Sequence, residues 1–325
     1  MMGNSPKVLI LHVAESSLEP AYTHLLDALG DTPSVLFDRD LSVTDQMTGK
    51  EVVIDIGGWG RREHIEAAKE AGVKLWQMVG YGLDHLALED IQGSGIPLAR
   101  TPGPTTAIPL AEHAMFLMLS VQKQANLARP AIEEGHFFDG ECSELAGGTL
   151  AIIGLGASGR ELAKRARGFD MRILAVEVVQ VSESTLVECG IEKCVFLDQL
   201  HAVLAEADFV SLHLPLNEET RHIIGGAELN VMKPTAVVIN VARGALIDET
   251  ALISALVEGR LRGAGLDVFE MEPLRADHPF FAMQNVVITP HWAAATGETF
   301  VRRSQVAADN VTSVLDGGTA KYLVS

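Results

Sequence analysis

Short runs of apolar residues alternate with segments of helical period along almost the whole chain. Several runs are continuous Val, Ile and Leu without polar alternation, which is typical of strands buried on both faces in parallel sheets. The predicted strands are Val8–Val13, Val52–Ile56, Leu75–Val79, Leu150–Ile153, Ile173–Val176, Phe209–His213, Ala236–Asn240 and Val286–Thr289.

The segments between these strands predict helices. They are Tyr22–Leu29, Arg62–Ala71, Arg160–Gly168, Leu200–Glu206 and Glu249–Glu258. Such alternation predicts an α/β fold with parallel sheets. Two longer segments also predict helices: the apolar, Met-rich Ala107–Ala128, interrupted early by Pro109, and the amphipathic Gly297–Leu315. Before the first of these, Pro102 and Pro104 flank a glycine and indicate a domain boundary.

Composition narrows the class of protein. A chain of 325 residues corresponds to about two domains. Its 25 Lys and Arg against 43 Asp and Glu give a net charge of -18, which argues against nucleic acids or anionic membranes as partners. No apolar run approaches the roughly 20 residues of a membrane span. Three cysteines without C-x-x-C spacing fit a reducing compartment, so we expect a soluble, cytoplasmic protein.

A glycine-rich motif follows the predicted strand Leu150–Ile153. It reads Gly154-x-Gly156-x-x-Gly159 and leads into a helix. In a dinucleotide-binding turn, the first glycine permits the tight turn, the second lets a pyrophosphate approach, and the third lets helix and strand pack closely. The helix N-terminus then offers free N–H groups to the phosphates. The motif lies late in the chain, which suggests that another domain precedes the nucleotide domain.

Glu177 ends the next predicted strand, about 20 residues after the glycines. An acidic side chain at this position accepts hydrogen bonds from the adenosine ribose and repels a 2′-phosphate. No Arg or Lys stands in Val178-Val-Gln180 to hold such a phosphate. The sequence therefore predicts NAD rather than NADP.

Three polar residues follow predicted strands in the second half of the chain: Arg243, Glu272 and His291. Polar side chains at strand ends of an open α/β sheet face the ligand crevice. The forked guanidinium of an Arg suits a carboxylate and its neighbouring carbonyl oxygen. A His donates the proton that carbonyl reduction needs beside a hydride, and a carboxylate orients the ring. Along the chain, the glycine motif comes first and Arg243, Glu272 and His291 follow in that order. This order predicts a dehydrogenase.

Six blocks of sequence resemble the D-isomer-specific 2-hydroxyacid dehydrogenases, the family of D-3-phosphoglycerate dehydrogenase and glyoxylate/hydroxypyruvate reductases. The blocks are Gly80-Tyr-Gly-Leu-Asp-His85, Gly154–Gly159, His213-Leu-Pro-Leu-Asn-Glu-Glu-Thr220, Asn240–Asp248, Gly265-Leu-Asp-Val-Phe-Glu-Met-Glu-Pro273 and Pro290–Thr296. The resemblance implies two doubly wound parallel-sheet domains, with a Rossmann NAD-binding domain (102–291) inserted into a flavodoxin-like substrate domain (1–101 and 292–325). It also implies an active site in the cleft between the domains and a homodimer.

The resemblance assigns roles residue by residue. Arg243 would bind the substrate carboxylate, His291 would be the acid/base and Glu272 its partner, while the backbone N–H groups of the loop at Gly80, Tyr81 and Gly82 would hold the carboxylate. The implied cofactor-binding residues are Gly154, Gly156, Ala157, Ser158, Gly159, Glu177, His213, Pro215, Thr220, Val241, Ala242 and Asp267, the last at the nicotinamide amide. No metal is implied, and the partner is a small 2-keto or 2-hydroxy acid.

Some positions depart from the family's pattern. Ala157 and Ser158 stand where a large basic residue and then Ile or Val are common, and Glu177 stands where Asp is commoner. Trp292 is bulky beside the catalytic His, and it, Trp59 and Tyr81 are candidate pocket residues. These departures leave the chemistry intact, but which 2-keto acid is the substrate is not fixed.

Two alternatives stay open at this point. The same fold family contains NAD-sensing corepressors, which would need a peptide-binding surface or long tails. Formate and phosphite oxidation also occur on this scaffold, although formate enzymes carry Gln where this chain has Glu272.

Overall fold

The computed structural model describes residues 6–12, 19–137 and 140–324. The chain forms two compact units, one made of residues up to Thr105 and from Thr296 onward, the other of Thr106–Ala295. The predicted domain ranges place both junctions a few residues earlier. We refer to these as the first and the second unit.

The first unit contains a five-stranded parallel sheet in the order β2-β1-β3-β4-β5. Its strands are β1 (Val8–Leu11), β2 (Ser34–Leu36), β3 (Val52–Ile56), β4 (Leu75–Val79) and β5 (Leu98–Arg100). Its helices are α1 (Glu19–Leu29), α2 (Val43–Met47), α3 (Arg62–Ala71), α4 (Leu88–Ser94) and, from the end of the chain, α12 (Gly297–Leu315). This strand order is that of flavodoxin-like sheets, as predicted.

The second unit contains a seven-stranded parallel sheet in the order β12-β11-β10-β9-β6-β7-β8. Its strands are β6 (Thr149–Ile153), β7 (Arg172–Val176), β8 (Lys193–Val195), β9 (Phe209–Leu212), β10 (Val237–Asn240), β11 (Gly263–Leu266) and β12 (Val286–Ile288). Its helices are α5 (Ala107–Gln122), α6 (Ala125–Glu133), α7 (Ala157–Ala166), α8 (Glu183–Cys189), α9 (Leu200–Glu206), α10 (Gly226–Val231) and α11 (Glu249–Val257). The order reverses between β6 and β9, which is the Rossmann switch point.

The eight strands predicted from apolar runs are all present. Strands β3 and β4 have the predicted ends, and the other six differ by one or two residues at one end. Val13, the predicted end of the first strand, lies outside the described residues. The prediction missed β2, β5, β8 and β11. Three of these are only three residues long, and β11 reads Gly-Ala-Gly-Leu, so none presents a recognisable apolar run.

The prediction of one long helix over Ala107–Ala128 was wrong. The chain forms α5 and then α6, because Gln124 adopts a left-handed conformation with φ of 52° that interrupts the helical path. Pro109 does not interrupt α5, since it lies in the first turn, where an N–H has no acceptor inside the helix.

Helix α12 completes the first unit. It packs on α1 and on β4, and its residues Ala307, Ala308, Val311 and Val314 are buried with apolar residues of the sheet. Thr296 caps its N-terminus by accepting a hydrogen bond from Thr299 N. Among the described residues, no helix is long and apolar enough to cross a membrane.

Candidate active site

The second unit carries the three predicted catalytic residues at one edge of its sheet. Strands β10, β11 and β12 are neighbours and run parallel, so their carboxyl ends meet at the same edge. Arg243 follows β10, Glu272 follows β11 and His291 follows β12. This edge is where open α/β sheets bind ligands.

The His291 and Glu272 side chains are in direct contact. His291 Nδ1 lies 2.7 Å from Glu272 Oε2, and Glu272 Oε1 accepts a hydrogen bond from Phe269 N at 3.0 Å. The carboxylate is thereby fixed from the backbone and in turn orients the imidazole. The His291 side chain is 42% exposed, and its Nε2 has no hydrogen-bond partner among the described residues. That nitrogen can exchange a proton with a ligand.

The backbone at His291 is held in an unusual conformation. Its φ is 57°, in the left-handed region that costs a non-glycine residue free energy unless the surroundings impose it. Asp267 imposes it: its carbonyl oxygen accepts from His291 N at 2.9 Å, and its carboxylate accepts from Trp292 N at 2.8 Å and from Ala293 N at 2.9 Å. Asp267 therefore holds the loop that carries His291.

The Asp267 carboxylate is fully buried and has further partners within its unit. Thr289 Oγ1 donates to it at 2.6 Å, and His113 Nε2 lies 2.8 Å from the same hydroxyl. Burial lowers the pKa of His113, which favours its neutral form. These contacts support the loop, whereas the nicotinamide contact implied for Asp267 stays a prediction.

The turn that bears Arg243 is built by Asn240, a buried residue at the end of β10. Its side chain accepts from Ala242 N at 3.1 Å and donates to the Arg243 carbonyl oxygen at 2.8 Å. Arg243 Nη1 donates to the Ala242 carbonyl at 2.7 Å. Gly244 packs directly on the backbone at Phe269, with no room for a Cβ atom. This packing keeps the Arg243 turn beside the segment that leads to Glu272.

The glycine motif follows β6 and has the geometry that a dinucleotide requires. Gly154 has φ of 96°, and a Cβ on it would lie 2.6 Å from the His213 carbonyl oxygen. A Cβ on Gly159 would collide with the Gly154 carbonyl, so this glycine permits the close approach of α7. By contrast, a Cβ on Gly156 would meet nothing within 4 Å. The space at Gly156, at the start of α7, fits a pyrophosphate.

Ser158, in the first turn of α7, is linked to the end of β9. Its hydroxyl lies 3.0 Å from His213 Nδ1, and His213 Nε2 lies 3.0 Å from the Ser211 hydroxyl. Burial lowers the pKa of His213 to about 4, so the ring is neutral at physiological pH. Ala157 precedes Ser158 and contributes no polar side chain. A neutral imidazole thus joins the glycine turn to the neighbouring strand.

Glu177 lies at the end of β7, next to the glycine turn. Its Oε2 accepts a hydrogen bond from Leu155 N at 2.6 Å, and its Oε1 accepts from Val178 N at 2.8 Å. Each carboxylate oxygen keeps a lone pair for a further donor. The structure therefore places the Glu177 carboxylate beside the turn, whereas its contact with the adenosine ribose stays a prediction.

The other predicted cofactor residues lie at the same edge. Thr220 Oγ1 donates to the Pro215 carbonyl at 2.8 Å, which closes a turn after β9. Val241 is buried and Ala242 half-buried in the turn after β10. Their contact with a cofactor stays a prediction.

In the first unit, Gly80, Tyr81 and Gly82 form a turn directly after β4. The sequence reasoning overlooked Asp55, whose buried carboxylate accepts from Trp59 N, Gly60 N and Trp76 Nε1 and so shapes the loop after β3. The sequence did contain a sign of this role, because Asp55 is the single acidic residue inside the apolar run Val52–Ile56.

Three further residues near these sites were also missed. They are Asn240, His113 and Arg100. The groups that they contact are distant in sequence or belong to backbone turns. The spacing of residues along the chain therefore does not predict the roles of these three residues. Within residues 6–12, 19–137 and 140–324, no group of three or more His, Cys, Asp or Glu side chains could hold a metal ion.

Known proteins resemble this chain in sequence and in fold. The family described as "D-isomer specific 2-hydroxyacid dehydrogenase, NAD binding domain" matches residues 115–293. The chain is 37% identical over 269 residues to a glyoxylate reductase of Korarchaeum cryptofilum, covering 81% of this chain and 79% of that protein. It is 36% identical over 281 residues to a D-3-phosphoglycerate dehydrogenase of Methanocaldococcus jannaschii, covering 84% of this chain. The chain spans only 51% of that second relative.

A solved structure resembles the chain over nearly its whole length. The crystal structure of a glyoxylate reductase from Paecilomyes thermophila matches with a TM-score of 0.81 and 29% identity, covering 98% of both chains. The two parallel-sheet units therefore agree with the fold of this structural neighbour.

Proposed function

The chain belongs to the D-isomer-specific 2-hydroxyacid dehydrogenase family, and we propose that it interconverts a small 2-keto acid and its D-2-hydroxy acid with NAD(H). The observation that carries this proposal is the 2.7 Å contact between His291 and Glu272 at the sheet edge that also bears Arg243. An acid/base pair beside a guanidinium provides what carbonyl reduction requires of a protein: a proton donor and a site for a carboxylate.

We assign the proton transfer to His291 Nε2. Glu272 holds Nδ1, so in reduction Nε2 donates a proton to the carbonyl oxygen of the substrate, and in oxidation it accepts the hydroxyl proton. A bound reduced nicotinamide supplies the hydride. The strained backbone of His291, held by Asp267, keeps the ring in one orientation, which lowers the entropy lost on reaching the transition state.

We assign the binding of the substrate carboxylate to Arg243 of the second unit. The turn Gly80–Gly82 of the first unit keeps its predicted substrate-binding role through its backbone N–H groups. The planar guanidinium can donate two parallel hydrogen bonds to a carboxylate and polarise the adjacent carbonyl. Arg243 is half-buried, so such bonds are stronger than they would be in water. This local positive charge offsets the net charge of -18 for a small anion.

We propose NAD over NADP because of the Glu177 carboxylate beside the glycine turn. Its fixed negative charge would repel a 2′-phosphate and accept hydrogen bonds from ribose hydroxyls. The substrates named for the relatives, glyoxylate and 3-phosphoglycerate, indicate a short acid as the substrate. Two exposed tryptophans, Trp59 and Trp292, are candidates for contacts to its side chain.

The experiment that tests this function is a panel of 2-keto acids with NADH, followed by the loss of absorbance. The panel is glyoxylate, hydroxypyruvate, pyruvate, phenylpyruvate and 3-phosphohydroxypyruvate, and NAD with formate or phosphite is run in parallel. Turnover of at least one keto acid, with a D-configured product where the product is chiral, supports the proposal. Turnover of formate or phosphite alone would contradict it.

We further propose a homodimer and a cytoplasmic location. Helices α5 and α6 expose Ile108, Phe116 and Ile132, apolar side chains that a second copy could cover. Cys142, Cys189 and Cys194 are all free, which suits a reducing compartment. Light scattering at micromolar concentration tests the assembly, and a monomeric mass would contradict it.

A further inference from the structure

We propose that Arg100 positions the Gly80–Gly82 turn for anion binding and sets the affinity for the substrate carboxylate. This inference rests on the proposed function in one respect, namely that the anion is a 2-keto acid. Arg100 is the last residue of β5, the strand next to β4, and the turn follows β4 directly. Both therefore lie at the carboxyl edge of the sheet in the first unit.

The contact between Arg100 and the turn has two parts. Arg100 Nη1 donates to the Tyr81 carbonyl oxygen at 3.0 Å, and the guanidinium carbon lies 4.4 Å from the centre of the Tyr81 ring. A guanidinium over an aromatic face is attracted by the ring quadrupole. One planar group thus fixes both the side chain and the carbonyl of Tyr81.

Thr101, the residue after Arg100, holds the carbonyl group of Gly80, the residue before Tyr81. Thr101 N donates to the Gly80 carbonyl oxygen at 3.1 Å. Two consecutive carbonyls of the turn are therefore tied to consecutive residues at the end of β5.

Because the peptide bond is planar, these contacts also fix the orientation of the N–H groups in the turn. In a trans peptide the C=O and the following N–H point in opposite directions within one plane. Fixing the Gly80 carbonyl therefore aims Tyr81 N–H away from Thr101, and fixing the Tyr81 carbonyl aims Gly82 N–H away from Arg100. Neither N–H has an intramolecular acceptor among the described residues. Both are thus held in orientation and left available to an anion.

The charge of Arg100 adds to this arrangement. No carboxylate of the described residues forms an ion pair with it, so its field is not cancelled by a direct counter-ion. A cation hydrogen-bonded to a carbonyl also polarises the attached N–H, which strengthens that donor. Arg100 thereby acts through the Tyr81–Gly82 peptide and is a positioning residue.

The first test compares Arg100→Gln with Arg39→Gln. Both remove one positive charge from the first unit, and Arg39 is an exposed residue in the loop after β2, whereas the turn follows β4. Arg100→Gln should raise the KM for the keto acid about tenfold, since a charge-assisted hydrogen bond and a cation–π contact are lost. The kcat and the KM for NADH should stay within about twofold. Arg39→Gln should change none of these constants.

Two further variants separate positioning from charge alone. Arg100→Lys keeps the charge but lacks the planar group that stacks and donates together, so its KM should remain raised. Tyr81→Leu removes the stacking surface, and adding Arg100→Gln to it should raise the KM less than Arg100→Gln does alone. Full rescue by Lys, or simple additivity of the two changes, would overturn the proposal.

Binding of oxalate supplies a readout that does not need turnover. Oxalate should raise the thermal unfolding midpoint of the wild-type protein, and that increase should be smaller in Arg100→Gln than in Arg39→Gln. Lack of turnover by the wild type would refute the proposed function and leave this binding test in force. No protection of the wild type, or equal protection of both variants, would overturn the role of Arg100.

Discussion

His291 Nδ1 and Glu272 Oε2 lie 2.7 Å apart, although 18 residues separate them in the chain and they follow different strands. The contact depends on β11 and β12 being neighbours in the sheet. It leaves Nε2 as the ring nitrogen that can meet a substrate. The acid/base role proposed for His291 therefore follows from sheet topology as much as from residue type.

Removing the imidazole should remove most of the turnover. We expect His291→Ala to lower kcat by about 10²- to 10⁴-fold, the usual contribution of a general acid. Glu272→Gln should lower kcat less, because the ring keeps a hydrogen-bonding neighbour. The control is His201→Ala, which breaks another His–Glu pair at 2.8 Å, to Glu228, and should leave kcat unchanged. Steady-state kinetics that show equal activity for His291→Ala would refute the assignment.

Glu177 should determine the choice of cofactor. The wild type should have a higher kcat/KM with NADH than with NADPH, because the carboxylate is fixed beside the glycine turn. Glu177→Gln keeps the shape and removes the charge, so it should reduce this preference by roughly tenfold, about 1.4 kcal/mol of repulsion. Glu183→Gln, an acid at the start of α8, is the matched control. A wild type that prefers NADPH would contradict this prediction.

His213 should make stability depend on pH. Its pKa is lowered to about 4, whereas the unfolded chain has an ordinary value near 6.5. Between these values the unfolded state binds more protons, so the free energy of unfolding rises with pH there. The contribution is fully present above about pH 6.5 and is lost as pH falls towards about 4.

The measurement is the urea midpoint of unfolding at pH 7.5 and pH 5. The wild type should lose more stability between these two pH values than His213→Gln does. His201→Gln should lose as much as the wild type. Identical losses in all three proteins would show that His213 is not the responsible group.

Asp267 should matter for stability as well as for turnover. Asp267→Ala removes the buried carboxylate that accepts from Trp292 N, Ala293 N and the Thr289 hydroxyl, three donors that are buried or partly buried. The expected loss is about 3 kcal/mol in the free energy of unfolding, since each unpaired buried donor costs about 1–3 kcal/mol. The kcat should fall too, because the His291 loop loses its support. The measurement is the free energy of unfolding in urea. It is compared between Asp267→Ala and a control, Asp316→Ala, which changes an exposed aspartate.

Most of the fold could be predicted because buried parallel strands carry continuous apolar runs. The runs at Val52–Ile56 and Leu75–Val79 agree with β3 and β4 residue for residue. The missed strands are short or contain glycine, and they are defined by their neighbours in the sheet. Similarly, the break between α5 and α6 depends on the backbone at Gln124, which hydrophobic period does not encode.

The predicted site depended on motifs that keep a fixed distance from a strand end. Arg243 and His291 each follow a strand that its apolar run predicts, so the sequence indicated the sheet edge at which they lie. Glu272 follows β11, which the apolar pattern did not predict, and it was recognised from its motif Gly265–Pro273 alone. Residues that hold these loops were harder to recognise. Asn240 and Arg100 act by hydrogen bonds to backbone carbonyls, and those partners appear only once the chain has folded.

Transfer of deuterium from NADH that carries deuterium at both hydrogen positions of nicotinamide C4 tests the central claim most directly. Wild-type protein is incubated with labelled NADH and hydroxypyruvate or pyruvate, and the product is analysed by mass spectrometry and chiral chromatography. We predict a D-2-hydroxy acid with deuterium at C2, formed by the wild type and by His201→Ala but greatly reduced in His291→Ala. Failure of every keto acid tested to accept the label, or an L-configured product, would contradict the account.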